Sequence, residues 1–170
     1  MICKQLENCI HDTNKACKRE KQCIAFTDDR SIVKCEERRK KYNLENDVDG
    51  ARVRKYRMDK GIVQNEPGFD VCDNLLAVYG EGIPKLIFVE LKGHDYKQAV
   101  KQLYETIKYF MPEVKKHQIY ARLVHTQGIP RIGNSGIQVE LECAVRSRGG
   151  NLKTQEWNLQ EKLSEIDSKK

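Results

Sequence analysis

Lys85-Leu86-Ile87-Phe88-Val89-Glu90-Leu91-Lys92-Gly93 is a β-branched and aromatic run of strand type, with a carboxylate and an ammonium two residues apart near its end. Side chains alternate along a strand, so Glu90 and Lys92 share one face while Val89 and Leu91 share the other. Working outward, Asp73-Asn74-Leu75-Leu76-Ala77-Val78-Tyr79 reads as a preceding strand, and Gly80-Glu81-Gly82-Ile83-Pro84 supplies the turn between them. A two-residue loop at Glu81-Gly82 faces Gly80 with Ile83 and sets Asp73 directly opposite Glu90. Opposed residues share a face with Cβ atoms ~4.5–5.5 Å apart, so Asp73, Glu90 and Lys92 converge on one patch. Two carboxylates this close repel unless a cation joins them, and such pairs suit Mg²⁺ or Mn²⁺.

Asp73, followed seventeen residues on by Glu90-Leu91-Lys92, resembles the acid…acid-x-lysine signature of the PD-(D/E)xK phosphodiesterase superfamily, which includes restriction endonucleases and phage-defence nucleases. The wider pattern Cys72-Asp73-Asn74-Leu75-Leu76, Phe88-Val89-Glu90-Leu91-Lys92-Gly93, Ala99, Gln102-Leu103 and Thr106 is similar to a small bacterial branch of it. Cys72 stands where the superfamily name has proline. The resemblance implies an α/β fold with a restriction-endonuclease-like core, a mixed β-sheet flanked by helices in the order αβββαβ with an appended pair of strands. It also implies a Mg²⁺ or Mn²⁺ site built from Asp73, Glu90 and the Leu91 carbonyl. Lys92 and Gln102 complete the catalytic set, and cleavage leaves 5′-phosphate and 3′-hydroxyl ends.

The chain has 170 residues, enough for one core, and its net charge of +6 mildly favours a polyanionic partner. It carries neither an apolar run of membrane-spanning length nor a signal-peptide segment, so a cytoplasmic location without membrane contact is expected. Seven cysteines are many. Cys3, Cys9, Cys17, Cys23 and Cys35 crowd the first 35 residues beside His11, yet none forms the C-x₂₋₄-C pair usual for structural zinc. Reduced structural thiols are the leading reading there, with a zinc or iron–sulfur site as the alternative.

Residues 1–24 read as a polar, cysteine-rich arm or helix, 25–160 as a single nuclease-like domain, and 161–170 as a charged tail. Thr27-Asp28-Asp29 offers an N-cap for a helix running toward Lys41, with Glu37 on it and Glu45 just beyond as candidate extra acids. Residues 43–50 read as a loop. Arg52 to Asp59 reads as the first strand, at an edge of the sheet, with Arg52, Arg54 and Arg57 as candidate phosphate contacts. Asp70 is a backup acid. After Asp95 as N-cap, Ala99, Leu103, Ile107 and Phe110 form a helical stripe, and Gln102 lies on the same helix. Residues 118–125 read as a strand, residues 137–145 alternate like a half-buried strand, and residues 152–159 read as the last one.

The expected activity is metal-dependent hydrolysis of phosphodiester bonds, with DNA as the favoured substrate and an endonuclease as the favoured form. No helix-turn-helix, zinc-finger or RNA-binding signature is evident, so a homodimer or partner protein is expected to help targeting. The competing class is a catalytically silent nucleic-acid-binding or assembly subunit that keeps the fold.

Overall fold

The computed structural model describes residues 6, 23–28, 31–64, 66–80, 82–126 and 136–168, with only the backbone of 24–28. The protein is α/β. Strands β1 (Ile24–Asp28), β4 (Arg52–Arg57), β5 (Asn74–Tyr79), β6 (Lys85–Lys92), β7 (Gln118–His125) and β8 (Leu152–Glu156) form a six-stranded mixed sheet in the order β1-β4-β5-β6-β7-β8. Strands β2 (Ile32–Glu37), β3 (Lys40–Glu45) and β9 (Asn158–Lys162) form a second, three-stranded sheet. Helix α1 (Tyr96–Phe110) connects parallel strands β6 and β7, and α2 (Gly136–Ser147) lies between parallel β7 and β8.

The period-two alternation of the central strands divides the core into two layers. Leu75, Ala77, Leu86, Phe88, Ile119, Ala121 and Leu123 meet α1 and α2 on one face. Leu76, Val78, Ile87, Val89, Leu91 and Val124 meet Val33, Cys35, Tyr42 and Leu44 of the small sheet on the other. Helix α1 follows its pattern: Asp95 caps it by accepting from the Gln98 N–H at 2.9 Å, and Ala99, Leu103, Ile107 and Phe110 are fully buried.

The β5–β6 register is the one read from the sequence, with Asn74 opposite Val89 and Val78 opposite Lys85. The loop differs. The ladder closes at Val78 and Lys85 rather than beside a two-residue turn, and Gly80 (φ 115°) lies against the Gly50 carbonyl on the β4 side, where a Cβ would come within 2.3 Å.

Five further expectations are corrected. Residues 32–45 form the antiparallel β2–β3 pair, not a helix followed by a loop, so the αβββαβ order does not hold over the described residues. Val33 and Cys35 are buried between exposed Ile32, Lys34 and Glu36, a period of two that outweighs the cap signal. Strand β4 is internal rather than an edge, because β1 pairs with its free side. Residues 137–145 belong to helix α2, whose Leu141 and Val145 are buried while Val139 and Cys143 are exposed, so the four-residue spacing wins over the alternation. Residues 152–162 make two strands in different sheets, broken at Trp157 (φ 61°). The expected tail is ordered packing as far as Ile166, with Glu161, Leu163 and Ile166 buried.

Glu161 joins the sheets. It makes a two-pronged ion pair with fully buried Arg122 of β7 and accepts from the Tyr42 hydroxyl of β3 at 2.7 Å and Lys153 of β8 at 2.9 Å. Burial alone raises a carboxyl, but the charge of Arg122 and the bonds from Arg122, Lys153 and Tyr42 outweigh it and hold Glu161 below its ordinary value. Removing one member of such a buried pair strands the other's charge. Arg122→Ala is therefore expected to lower the unfolding free energy by about 3–5 kcal/mol, measured by urea titration. A loss below about 1 kcal/mol would place the connection between the sheets elsewhere.

Candidate active site

Asp73 sits where β5 begins, and Glu90 and Lys92 sit where β6 ends. All three lie on the helix-facing side, with Leu75, Ala77, Leu86 and Phe88 in the same parity. The two acids are clasped reciprocally: the Asp73 N–H donates to Glu90 Oε2 at 3.2 Å, and the Leu91 N–H donates to Asp73 Oδ2 at 2.8 Å. Each carboxylate keeps its second oxygen outside this clasp.

The β5–β6 ladder stops here for a specific reason. Continued by two more pairs it would set Asp73 against Glu90 and Cys72 against Leu91, but the Cys72 N–H donates instead to Thr106 Oγ1 of α1 at 3.0 Å. The Leu91 N–H goes to the Asp73 side chain, and since a residue's N–H and C=O point to the same strand edge, the Leu91 carbonyl opens toward Asp73. Thr106 is fully buried and donates in turn to the Gln102 carbonyl at 2.6 Å. Sequence reading placed Thr106 only within a motif. Its hydroxyl as the stop of a strand ladder is a tertiary contact between residues 34 positions apart.

Lys92 Nζ donates to Gln102 Oε1 at 2.8 Å, and Gln102 Nε2 donates to the Val71 carbonyl at 3.3 Å. The glutamine thus orients the lysine from α1, one turn beyond Gln98, which holds Asp70 at 2.8 Å. Asp59, Glu66, Phe69, Asp70, Asp73 and Gln102 line a cleft of about 280 Å³ over this patch.

The electrostatics are unfavourable to two charges. Glu90 is 2 % exposed. Burial first, and then the charge of Asp73, push its carboxyl up to about 8, with Lys92 offsetting part of the rise. Burial also raises Asp73, opposed by the Leu91 N–H and by Lys92 and assisted by the charges of Glu37 and Asp59. Buried carboxylates raised together fit a divalent cation, which binds through one or two carboxylates plus carbonyl and water oxygens. Among the described residues no three His, Cys, Asp or Glu side chains form a metal-ligating group. Asp73, Glu90 and the Leu91 carbonyl present oxygens of the kind that could hold Mg²⁺ at this patch.

Other candidates separate. Glu37 reaches the site from the end of the β2–β3 hairpin, close enough for its charge to raise both acids, and not from a helix. Glu45 is at the opposite end of β3, paired with Ile32. Arg57 is exposed at the carboxylate end of the sheet, opposite Asn74, whereas Arg52 is at the other end, opposite Tyr79. Arg54 is 3 % exposed, donates to the Tyr56 hydroxyl and lies 5.5 Å from the Tyr79 ring centre, a structural position rather than a nucleic-acid contact. Among the N-terminal cysteines, Cys3, Cys9 and Cys17, with His11, lie outside the described residues. Cys23, Cys35 and Cys72 are buried, and burial pushes Cys35 up to about 12.

No family model, curated protein or solved structure matches the chain. Among the described residues no helix is long and apolar enough to cross a membrane.

Two predictions follow from the site's own chemistry. Thr106→Val removes the acceptor of the buried Cys72 N–H and should cost about 1–3 kcal/mol in urea unfolding, with Thr106→Ser near wild type. In EDTA, the contribution of Glu90 to stability should be full below the ordinary carboxylate range and be lost as pH rises toward about 8, because burial raises its carboxyl and the folded state holds the proton through that interval. Melting curves recorded across that interval test this, since Glu90→Gln should flatten the pH dependence.

Proposed function

We propose that the protein is a metal-dependent nuclease with a restriction-endonuclease-like core, hydrolysing phosphodiester bonds and acting on DNA as an endonuclease. The observation that carries this reading is the reciprocal Asp73–Glu90 clasp, with Lys92 held beside it by Gln102. A structural ion pair would set Lys92 against Glu90 on a solvated strand, whereas here Glu90 is buried and the ammonium bonds to an amide oxygen. The succession β4-β5-β6-α1-β7 within one mixed sheet supports the core, and the net charge of +6 supports a polyanionic substrate.

Bound at Asp73, Glu90 and the Leu91 carbonyl, Mg²⁺ supplies Lewis-acid neutralisation of phosphate charge and a more acidic water. The chain does the rest. The clasp fixes both carboxylates by main-chain donors, so they need no reorganisation when substrate arrives. Gln102 occupies one Lys92 proton and aims the others at the patch, where the ammonium orients a water or stabilises a phosphoryl oxygen as a point charge. Thr106 keeps the ladder from closing over the Leu91 carbonyl.

Asp73→Asn, Glu90→Gln and Lys92→Ala are each expected to lower the Mg²⁺-dependent cleavage rate by about 10³-fold or more, several kcal/mol of transition-state stabilisation. Gln102→Ala should cost less, about 10–100-fold, because it loosens Lys92 without removing it. Cleavage of supercoiled plasmid, linear duplex, single-stranded DNA and RNA with Mg²⁺, Mn²⁺ or EDTA measures this. Undiminished cutting by all three primary variants would overturn the assignment, and no cutting of any substrate by wild type would favour the silent binding subunit.

A further inference from the structure

The β2–β3 hairpin turns through Arg38 (φ 44°) and Arg39 (φ 74°), closed by the pair Glu37–Lys40. Two consecutive positive φ values are the geometry of a type I′ turn, for which Asn-Gly is the unstrained choice. Bulky residues there carry strain that persists when something other than stability retains them. Both arginines are exposed, and among the described residues no side-chain hydrogen bond or ion pair holds either. The flanking lysines are engaged, Lys40 with Glu37 at 3.7 Å and Lys41 with Glu36 at 3.4 Å.

A chain of main-chain bonds places this turn at the catalytic edge. Lys92 pairs with His125, the Trp157 N–H donates to the His125 carbonyl at 2.9 Å, and the Lys41 N–H donates to the Trp157 carbonyl at 2.9 Å. Arg39 is two residues from Lys41. The charge of Glu37, adjacent to Arg38, independently reaches Asp73 and Glu90. Trp157 itself is 47 % exposed and has φ 61°, an outlying backbone for a bulky residue. Lys60 (φ 58°) is exposed in the turn that follows β4, three residues past Arg57, at the same end of the sheet.

We infer that Arg38, Arg39 and Lys60 with Trp157 form a substrate clamp at the rim of the carboxylate site, and that it selects nucleic acid with unpaired nucleotides. Guanidinium and ammonium groups take the backbone phosphates, and the exposed indole stacks on a base, which a continuous duplex does not offer. The inference rests on the nuclease reading for its substrate class, while the surface that carries it is separate from the catalytic residues.

The test uses the full chain in EDTA with a fluorescein-labelled single-stranded oligonucleotide and its duplex. Trp157 is the only tryptophan, so its fluorescence reports on the site directly. The single strand is expected to quench it saturably, with affinity falling as salt rises. Trp157→Gly should weaken single-strand binding by about 5- to 150-fold and duplex binding far less. The double substitution Arg38→Asn with Arg39→Gly should weaken both while raising the melting temperature by about 2–4 °C, since it relieves the turn. A turn of purely structural use would give the stabilisation with no change in binding, and that result, or an unquenched tryptophan, would overturn the clamp. Hydrolysis of bis(p-nitrophenyl) phosphate with Mn²⁺ separates the two readings, because this small diester needs the carboxylates but not the clamp. Variants that keep that hydrolysis but lose the oligonucleotide support the clamp. A wild type that binds the single strand through Trp157 yet never hydrolyses the diester keeps the clamp and removes the nuclease.

Discussion

The register between β5 and β6 is the constraint on which the other features depend. It puts Leu75, Ala77, Leu86 and Phe88 under α1, and the same parity puts Asp73, Glu90 and Lys92 beside them. A slip of one residue would turn the whole apolar set to the opposite face. Full burial of one Leu, Ile or Phe is worth about 1.5–3 kcal/mol. Leu75, Leu86, Phe88, Leu103 and Ile107 together therefore exceed the several kcal/mol that each buried carboxylate costs. The hydrophobic pattern wins that contest, and the acids are carried into a place they would not choose. This is how a core can hold a chemically strained site.

Two buried glutamates, one in each sheet, make the contrast plain. Glu161, on the small-sheet side, is surrounded by Arg122, Lys153 and Tyr42, and its carboxyl is lowered. Glu90, on the helix side of the central sheet, is raised by burial first and then by the charge of Asp73. Where the fold needs a buried charge to join its sheets, it supplies cations from two strands and a tyrosine hydroxyl from a third. At Glu90 it supplies main-chain donors and a second acid, and turns the nearby lysine toward Gln102. Opposite treatment of the same residue type within one fold is the pattern expected when one site serves stability and the other serves a ligand.

Local chemistry explains what was legible in the sequence. The β5–β6 pairing, the Asp95 cap and the α1 stripe rest on nearby residues with strong periodicity, and each was readable. The β2–β3 hairpin was not, because its turn is Arg38-Arg39 instead of Asn-Gly, and Thr27-Asp28-Asp29 imitates a helix cap. Helix α2 hid behind Val139 and Cys143, apolar residues that it exposes. Arg54 looked like a surface cation, and only the aromatic pair Tyr56 and Tyr79 makes it a buried one. In the site, the acids and the lysine could be paired from spacing alone. The roles of Thr106 and of the Val71 carbonyl depend on where α1 crosses the sheet, which no local pattern encodes.

The distribution of backbone strain separates the two ends of the central sheet. Turns at the end remote from the carboxylates use glycine for positive φ, as at Gly50, Gly80, Gly82 and Gly149. At the carboxylate end Gly68 also has positive φ, but there Arg38, Arg39, Lys60 and Trp157 adopt it with full side chains. Geometry alone would favour glycine at all of these positions, since each non-glycine residue in this conformation costs on the order of 1–2 kcal/mol. What distinguishes the second group is chemical: three cations and an indole, all exposed, around a pair of buried acids. An acidic centre repels a polyanion, so a rim of cations is what allows a phosphodiester to approach it. On the proposed function, the strain at these four residues and the raised carboxyl of Glu90 would share one origin, a sheet edge that trades stability for a phosphate-binding surface.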